Sequence, residues 1–252
     1  MLLHDFFITE SATTTNIAEI EQPIDEGIHD PNIFKAIFMA GPPGAGKNVV
    51  IKQLGLTGSG LKLQDIDHTL AYLNKRKAPA APDYGRGLNT TLKRQEVFQQ
   101  SMLGLLINTT GRDYEHLMNL NAQLKKAGYD TFMLFVHVDY DVAFDRIKNR
   151  ETSATDPADK NRKVDLDYFN DAYDAATQNM DFYSLMFGNQ FALVSNNGRD
   201  LKEDAEEDNL TFQQTLKQAA KKVQRFLRKP LTPVAQQIVS QSTPPTAVAR
   251  AA

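Results

Sequence analysis

Residues Gly41-Pro42-Pro43-Gly44-Ala45-Gly46-Lys47-Asn48 directly follow the apolar run Ala36-Ile37-Phe38-Met39-Ala40, and this junction restricts the folds open to the chain. A buried-type strand that runs into a Gly-rich loop and then a helix is the setting of a phosphate-binding loop. Glycines let backbone N–H groups converge on phosphate oxygens, and the helix presents its positive N-terminus to them. Lys47 adds a mobile cation for the β and γ phosphates. Asn48 stands where Ser or Thr normally supplies a hydroxyl to Mg²⁺; its amide oxygen is a neutral ligand on a longer stem. Gly41 through Asn48 are therefore expected to bind ATP.

Beyond the loop, short apolar runs alternate with helical patterns, which predicts a parallel sheet with crossover helices. Strands are expected at 35–40, 61–66, 103–108, 131–138 and 190–195. A helix over 113–127 should stop at Gly128 in a left-handed cap. The run Phe132-Met133-Leu134-Phe135-Val136 predicts a central strand. Leu166, Phe169, Tyr173, Ala176, Met180, Tyr183 and Phe187 recur at three- and four-residue spacing, the stripe of a core-facing helix. The segment 74–89 reads as a long loop of the kind that covers substrates. The predicted class is thus α/β, a five-stranded, mostly parallel sheet flanked by helices.

Three segments are expected. Residues 1–32 form an acidic arm whose apolar cluster Leu2, Leu3, Phe6, Phe7 and Ile8 would dock on its own domain or on a protein partner. Residues 33–229 form the phosphate-loop domain. Residues 230–252, rich in Pro, Thr, Ser and Gln, read as a flexible tail.

In open α/β sheets the ligand lies at the carboxyl ends of the strands. Past the second strand, Asp67 in Asp65-Ile66-Asp67-His68 is placed to orient or deprotonate an acceptor hydroxyl, although an Asp there also caps helices. Past the third, Asn108 occupies the place of a magnesium-binding Asp, so Asn48 and Asn108 are the metal-side candidates. Past the fourth, Arg146 and Arg150 share a helix face, and Arg162 with Lys163 follows on a polar loop; cations there suit a phosphoryl-transfer lid. Asn196 and Asn197 past the fifth strand offer amides to the adenine edge or make an ordinary turn. Lys93 and Arg94 are expected to begin a helix that faces either the acceptor or solvent. Lys217, Lys221, Lys222, Arg225, Arg228 and Lys229 form a basic run, expected to be partly neutralised by the acidic stretch from Glu203 to Asp208.

The net charge of -3 gives no global basic field, so nucleic acid is not favoured as a partner. The chain has no cysteine, which excludes disulfides, thiolate metal sites and thiol nucleophiles. His4, His29, His68, His116 and His137 show no metal-ligand spacing. No apolar run reaches the roughly 18 residues of a membrane span, and the start lacks a basic signal region, so an intracellular location is expected.

These elements together resemble the P-loop kinases of the zeta-toxin and polynucleotide-kinase type, including versions carried by tailed bacteriophages. The resemblance covers roughly residues 34–198. It rests on Phe38 to Lys47, Asp67, the segment Leu106 to Asp113, the segment Ala127 to Phe132, and the Arg146 and Arg150 helix. It implies ATP- and Mg²⁺-dependent transfer of a γ-phosphoryl group to a hydroxyl of a sugar, nucleotide or nucleic acid. Lys47 would act on the phosphates, Asp67 at the acceptor, and Arg146, Arg150 and Arg162 on the transferred group. It also implies a phage setting, in the host cytoplasm or the virion. Such kinases are expected to carry Ser or Thr at position 48 and Asp at position 108. With Asn at both, a second reading stands beside the kinase: a degenerate kinase fold used as a nucleotide-binding or structural module.

Overall fold

The computed structural model describes residues 32–75, 84–153, 165–198 and 205–242. Five strands form one sheet: β1 (Lys35–Ala40), β2 (Lys62–Gln64), β3 (Leu105–Asn108), β4 (Asp130–His137) and β5 (Phe191–Ser195). Their order is β2-β3-β1-β4-β5, and every pairing is parallel. Parallel neighbours need crossovers, supplied here by α1 (Lys47–Gln53), α2 (Ile66–Lys75), α3 (Tyr84–Gln100), α4 (Tyr114–Lys126), α5 (Tyr140–Ser153) and α6 (Leu166–Phe187). Two further helices follow the sheet, α7 (Ala205–Leu227) and α8 (Pro233–Ser242).

Successive residues of β1 point to opposite faces, so the sheet separates two cores. Ile37 and Met39 join Val50, Ile51, Phe169, Phe212 and Phe226 on one side. Phe38 and Ala40 join Leu117, Leu124, Tyr183 and Phe187 on the other. Helix α6 reaches both cores, its first half through Phe169 and Tyr173 and its last turns through Tyr183 and Phe187. The expected stripe holds except at its first position, because Leu166 opens the helix at 49% exposure. Gly128 has a φ of 93° and ends α4 as expected.

Two expectations need correction. Residues 84–89, read as loop, are the first turns of α3, so Lys93 and Arg94 sit mid-helix; residues 76–83 lie outside the described part. Residues 230–242, read as flexible tail, carry α8. Thr232 caps it by accepting a bond from Ala235 N at 3.2 Å and donates to Gly128 O at 2.6 Å. Pro233 then fits the first helical position, and Ala235 is fully buried in the second core. The arm 1–31 and the tail beyond 242 lie outside the described residues. No described helix is long and apolar enough to cross a membrane.

Enlarging Ala235 tests the docking of α8. Ala235→Leu is expected to destabilise the fold by about 1–3 kcal/mol through overpacking, read as a lower urea midpoint; an unchanged midpoint would mean that α8 does not pack on the sheet domain.

Candidate active site around the phosphate loop

The loop between β1 and α1 is shaped by its glycines. Gly44 and Gly46 have φ values of 80° and 79°, a region that costs an L residue about 1–2 kcal/mol. A Cβ on Gly44 would come within 2.6 Å of Ala143 O, and one on Gly46 would collide with the Asn196 amide. The loop thus lies directly against α5 and the end of β5.

Three groups hold it there. Gly41 N donates to Thr110 O at 3.3 Å, tying the loop to the segment after β3. Asn196 Nδ2 donates to Ala45 O at 2.7 Å. Arg146 donates to Gly44 O at 3.3 Å, Asn196 Oδ1 at 3.4 Å and Gly198 O at 2.9 Å. Lys47 Nζ lies within the loop, donating to Gly41 O at 2.6 Å and Pro42 O at 3.1 Å. Helix α1 opens at Gly46 with no side-chain cap and no acid in its first turn, so no carboxylate of its own competes for its positive end.

A buried carboxylate is joined to this loop through Asn108. Asp65, at 8% exposure, is the first residue past β2 and accepts from Asn108 Nδ2 through Oδ2 and from His68 N, at 2.9 Å, through Oδ1. Asn108 Nδ2 also reaches Asn48 Oδ1 at 3.3 Å. Asn48, Asn108 and Asp65 therefore form one polar chain from α1 across β3 to β2. Asp67 is exposed in the first turn of α2. Sequence reasoning passed over Asp65 because it extended β2 to residue 66; the strand stops at Gln64.

The other candidates divide clearly. Arg146 and Asn196 are brought to the loop and brace it, Arg146 by linking Gly44 O to Asn196 Oδ1 and Gly198 O and Asn196 by donating to Ala45 O. Asn197 Oδ1 accepts from Asp139 N at 2.8 Å, joining the segment after β5 to the one after β4. Arg150 lies in α5, Arg162 and Lys163 lie outside the described residues, and Lys93 is exposed. Arg94 is half-buried, donating to Thr69 Oγ1 at 3.4 Å, while Thr69 takes a further bond from Thr91 at 2.9 Å.

The segment after β3 has its own support. Gly111 O accepts from Tyr183 at 2.8 Å and from Asn179 Nδ2 at 3.1 Å. Burial raises the Tyr183 phenol above its ordinary value, with Asp113 adding to the shift.

Two outcomes follow. Asn196→Ala leaves Ala45 O without this donor and should cost about 1–3 kcal/mol of stability, measured by urea unfolding. Protonated Tyr183 stabilises the fold fully below the unfolded-state value near pH 10, and that contribution is lost as pH rises through the higher folded-state value. Tyr183→Phe should accordingly flatten the alkaline fall in melting temperature; an unchanged alkaline slope would contradict this.

Comparison with known proteins agrees with this geometry. A family model described as "Zeta toxin" matches residues 91–202, less than half of the chain. No curated protein matches. Among solved structures, a chain of the AvrRxo1-ORF1:-ORF2 complex with ATP is 12% identical, covers 82% of this chain and 80% of that one, and superposes with a TM-score of 0.51. The native form of that complex gives 12% identity, 82% and 79% coverage, and a TM-score of 0.50. A structure of the PezAT chromosomal toxin–antitoxin system of Streptococcus pneumoniae gives 16% identity, 76% and 90% coverage, and a TM-score of 0.47. At these identities the likeness is one of fold, and the chain has the parallel α/β fold of the AvrRxo1 complex with a central segment similar to zeta toxins.

Proposed function

We propose that the protein is a P-loop kinase, which binds ATP and transfers its γ-phosphoryl group to a hydroxyl of a sugar, nucleotide or nucleic acid. The observation that carries this reading is the placement of the glycine loop with Lys47 past β1 and of the buried Asp65 past β2, joined through Asn48 and Asn108. In the reaction the acceptor oxygen bonds to the γ phosphorus, the bond to the bridging oxygen breaks, ADP leaves, and the hydroxyl proton passes to a carboxylate. Asp67, exposed in the first turn of α2, is the carboxylate we assign to take that proton. Lys47 and the loop amides hold the phosphates, with Arg150 and Arg162 as further cations for the transferred group.

The fold type implies Mg²⁺, and the residues present suit it. Asn108 Oδ1 is buried without a partner, and an amide's oxygen and nitrogen exchange places by a half turn. With that exchange, Asp65, Asn48 and Asn108 all present oxygen, the donor type of a hard cation, with one negative charge among them. When bound, the ion would neutralise charge on the β and γ phosphates. A second reading, the degenerate module, draws on the same chain of bonds: with its Nδ2 on Asp65, Asn108 satisfies the carboxylate without any cation. The AvrRxo1 structures are complexes of two proteins, which supports a protein partner here, approached through residues 1–32 or 230–252.

An acceptor screen with labelled ATP separates the two. The kinase reading expects Lys47→Ala and Asp67→Asn each to lower phosphorylation by about 10²-fold or more; rates unchanged in both would remove it. Asn108→Asp sets a second carboxylate beside Asp65 and should lower the melting temperature in EDTA, with Mg²⁺ restoring it; indifference to Mg²⁺ would favour the degenerate module.

A further inference from the structure

The basic run at the end of α7 was expected to be balanced by the acidic stretch before it. The helix geometry separates the end of that run from Asp208. Asp208 lies in the first turns of α7 and Arg225 near its end, and 17 residues at 1.5 Å each place them about 25 Å apart, well beyond a Debye length of about 8–10 Å. The bases at the end of the helix complement the negative end of its dipole, and at that distance Asp208 does not offset Arg225.

The exposed face that remains has a uniform chemistry. Every exposed position from 213 to 229 is Gln, Lys or Arg: Gln213, Gln214, Lys217, Gln218, Lys221, Lys222, Gln224, Arg225, Arg228 and Lys229. The apolar members of the same stretch, Leu216, Ala219, Ala220, Val223 and Phe226, are buried under the sheet. Lys221, Gln224, Arg225, Arg228 and Lys229 line an open groove of about 420 Å³. Asp130, the acid beside this groove, is already held by Lys35 at 3.5 Å and Lys229 at 4.0 Å. Lys221, Arg225 and Arg228 make no ion pair with a described residue.

We propose that this face binds the phosphate backbone of a nucleic acid. From Lys217 to Arg225 the helix advances about 12 Å, which spans three or four phosphates of one strand at 3.4 Å of axis each. The interspersed glutamines donate and accept hydrogen bonds, as sugar and phosphate contacts require. A lipid surface is less suited, since no apolar side chain is exposed between 213 and 229 to enter it. The groove lies by Lys35 at the start of β1, whereas the phosphate loop lies past the end of that six-residue strand. It is therefore a second site, separate from ATP.

The test is fluorescence anisotropy of the full chain with a labelled single-stranded RNA of about 20 nucleotides, over salt from about 50 to 200 mM. Three phosphate contacts give a salt slope of about −2, so affinity should fall about 15-fold across that range. Joint Lys221→Gln, Arg225→Gln and Arg228→Gln substitutions should abolish the binding with an unchanged circular-dichroism spectrum. Lys126→Gln, on the exposed face of α4, should retain it, as should saturating ATP. Absence of binding at low salt, equal binding by the triple variant, or binding to phosphatidylserine vesicles with none to RNA would each overturn the proposal.

Discussion

The phosphate loop depends on hydrogen bonds from three separate segments that fix its backbone. Its carbonyls at Gly44 and Ala45 are taken by Arg146 and Asn196 from behind, and Gly41 N is taken by Thr110 O. Those partners stand after β3, within α5 and after β5, so one loop needs most of the sheet in its correct order. The order β2-β3-β1-β4-β5 supplies it by placing β1 between β3 and β4. With the carbonyls bound on the protein side, the remaining amides and the start of α1 are left to an anion. Arg146 and Asn196 thus support the loop through its carbonyls.

A second dependence runs along the polar chain Asn48, Asn108 and Asp65. A buried carboxylate is costly without partners, and here one amide and one backbone N–H supply them. The same amide determines whether the site offers a cation three oxygens or shields the carboxylate from it. The two replacements at positions 48 and 108 thus act through a single structural unit. The one carboxylate of that unit is Asp65, just past β2.

Much of this was legible in the sequence because the physical signals were local and repeated. The two faces of β1, the long run of β4 and the stripe on α6 all follow from side-chain periodicity. The role of Asp65 was missed because β2 is only three residues long, too short for alternation to fix its end. Helix α8 was masked by the Pro- and Ser-rich composition around it. Its signal was nonetheless present in Thr232-Pro233, a capping residue followed by a proline suited to the first turn. The support roles of Arg146 and Asn196 are tertiary, spanning 102 and 151 residues of sequence to the loop, and no local pattern encodes them. Likewise, Asp208 and Arg225 stand about 25 Å apart on α7.

Isothermal titration calorimetry of the full chain with ATP, first in Mg²⁺ and then in EDTA, tests the central claim most directly. Binding that is present in both and tighter with Mg²⁺ is the predicted result, because the loop amides and Lys47 hold the phosphates while Asp65 and the two amides hold the ion. Absence of binding in both conditions would contradict the assignment of residues 41–48 as a working nucleotide site.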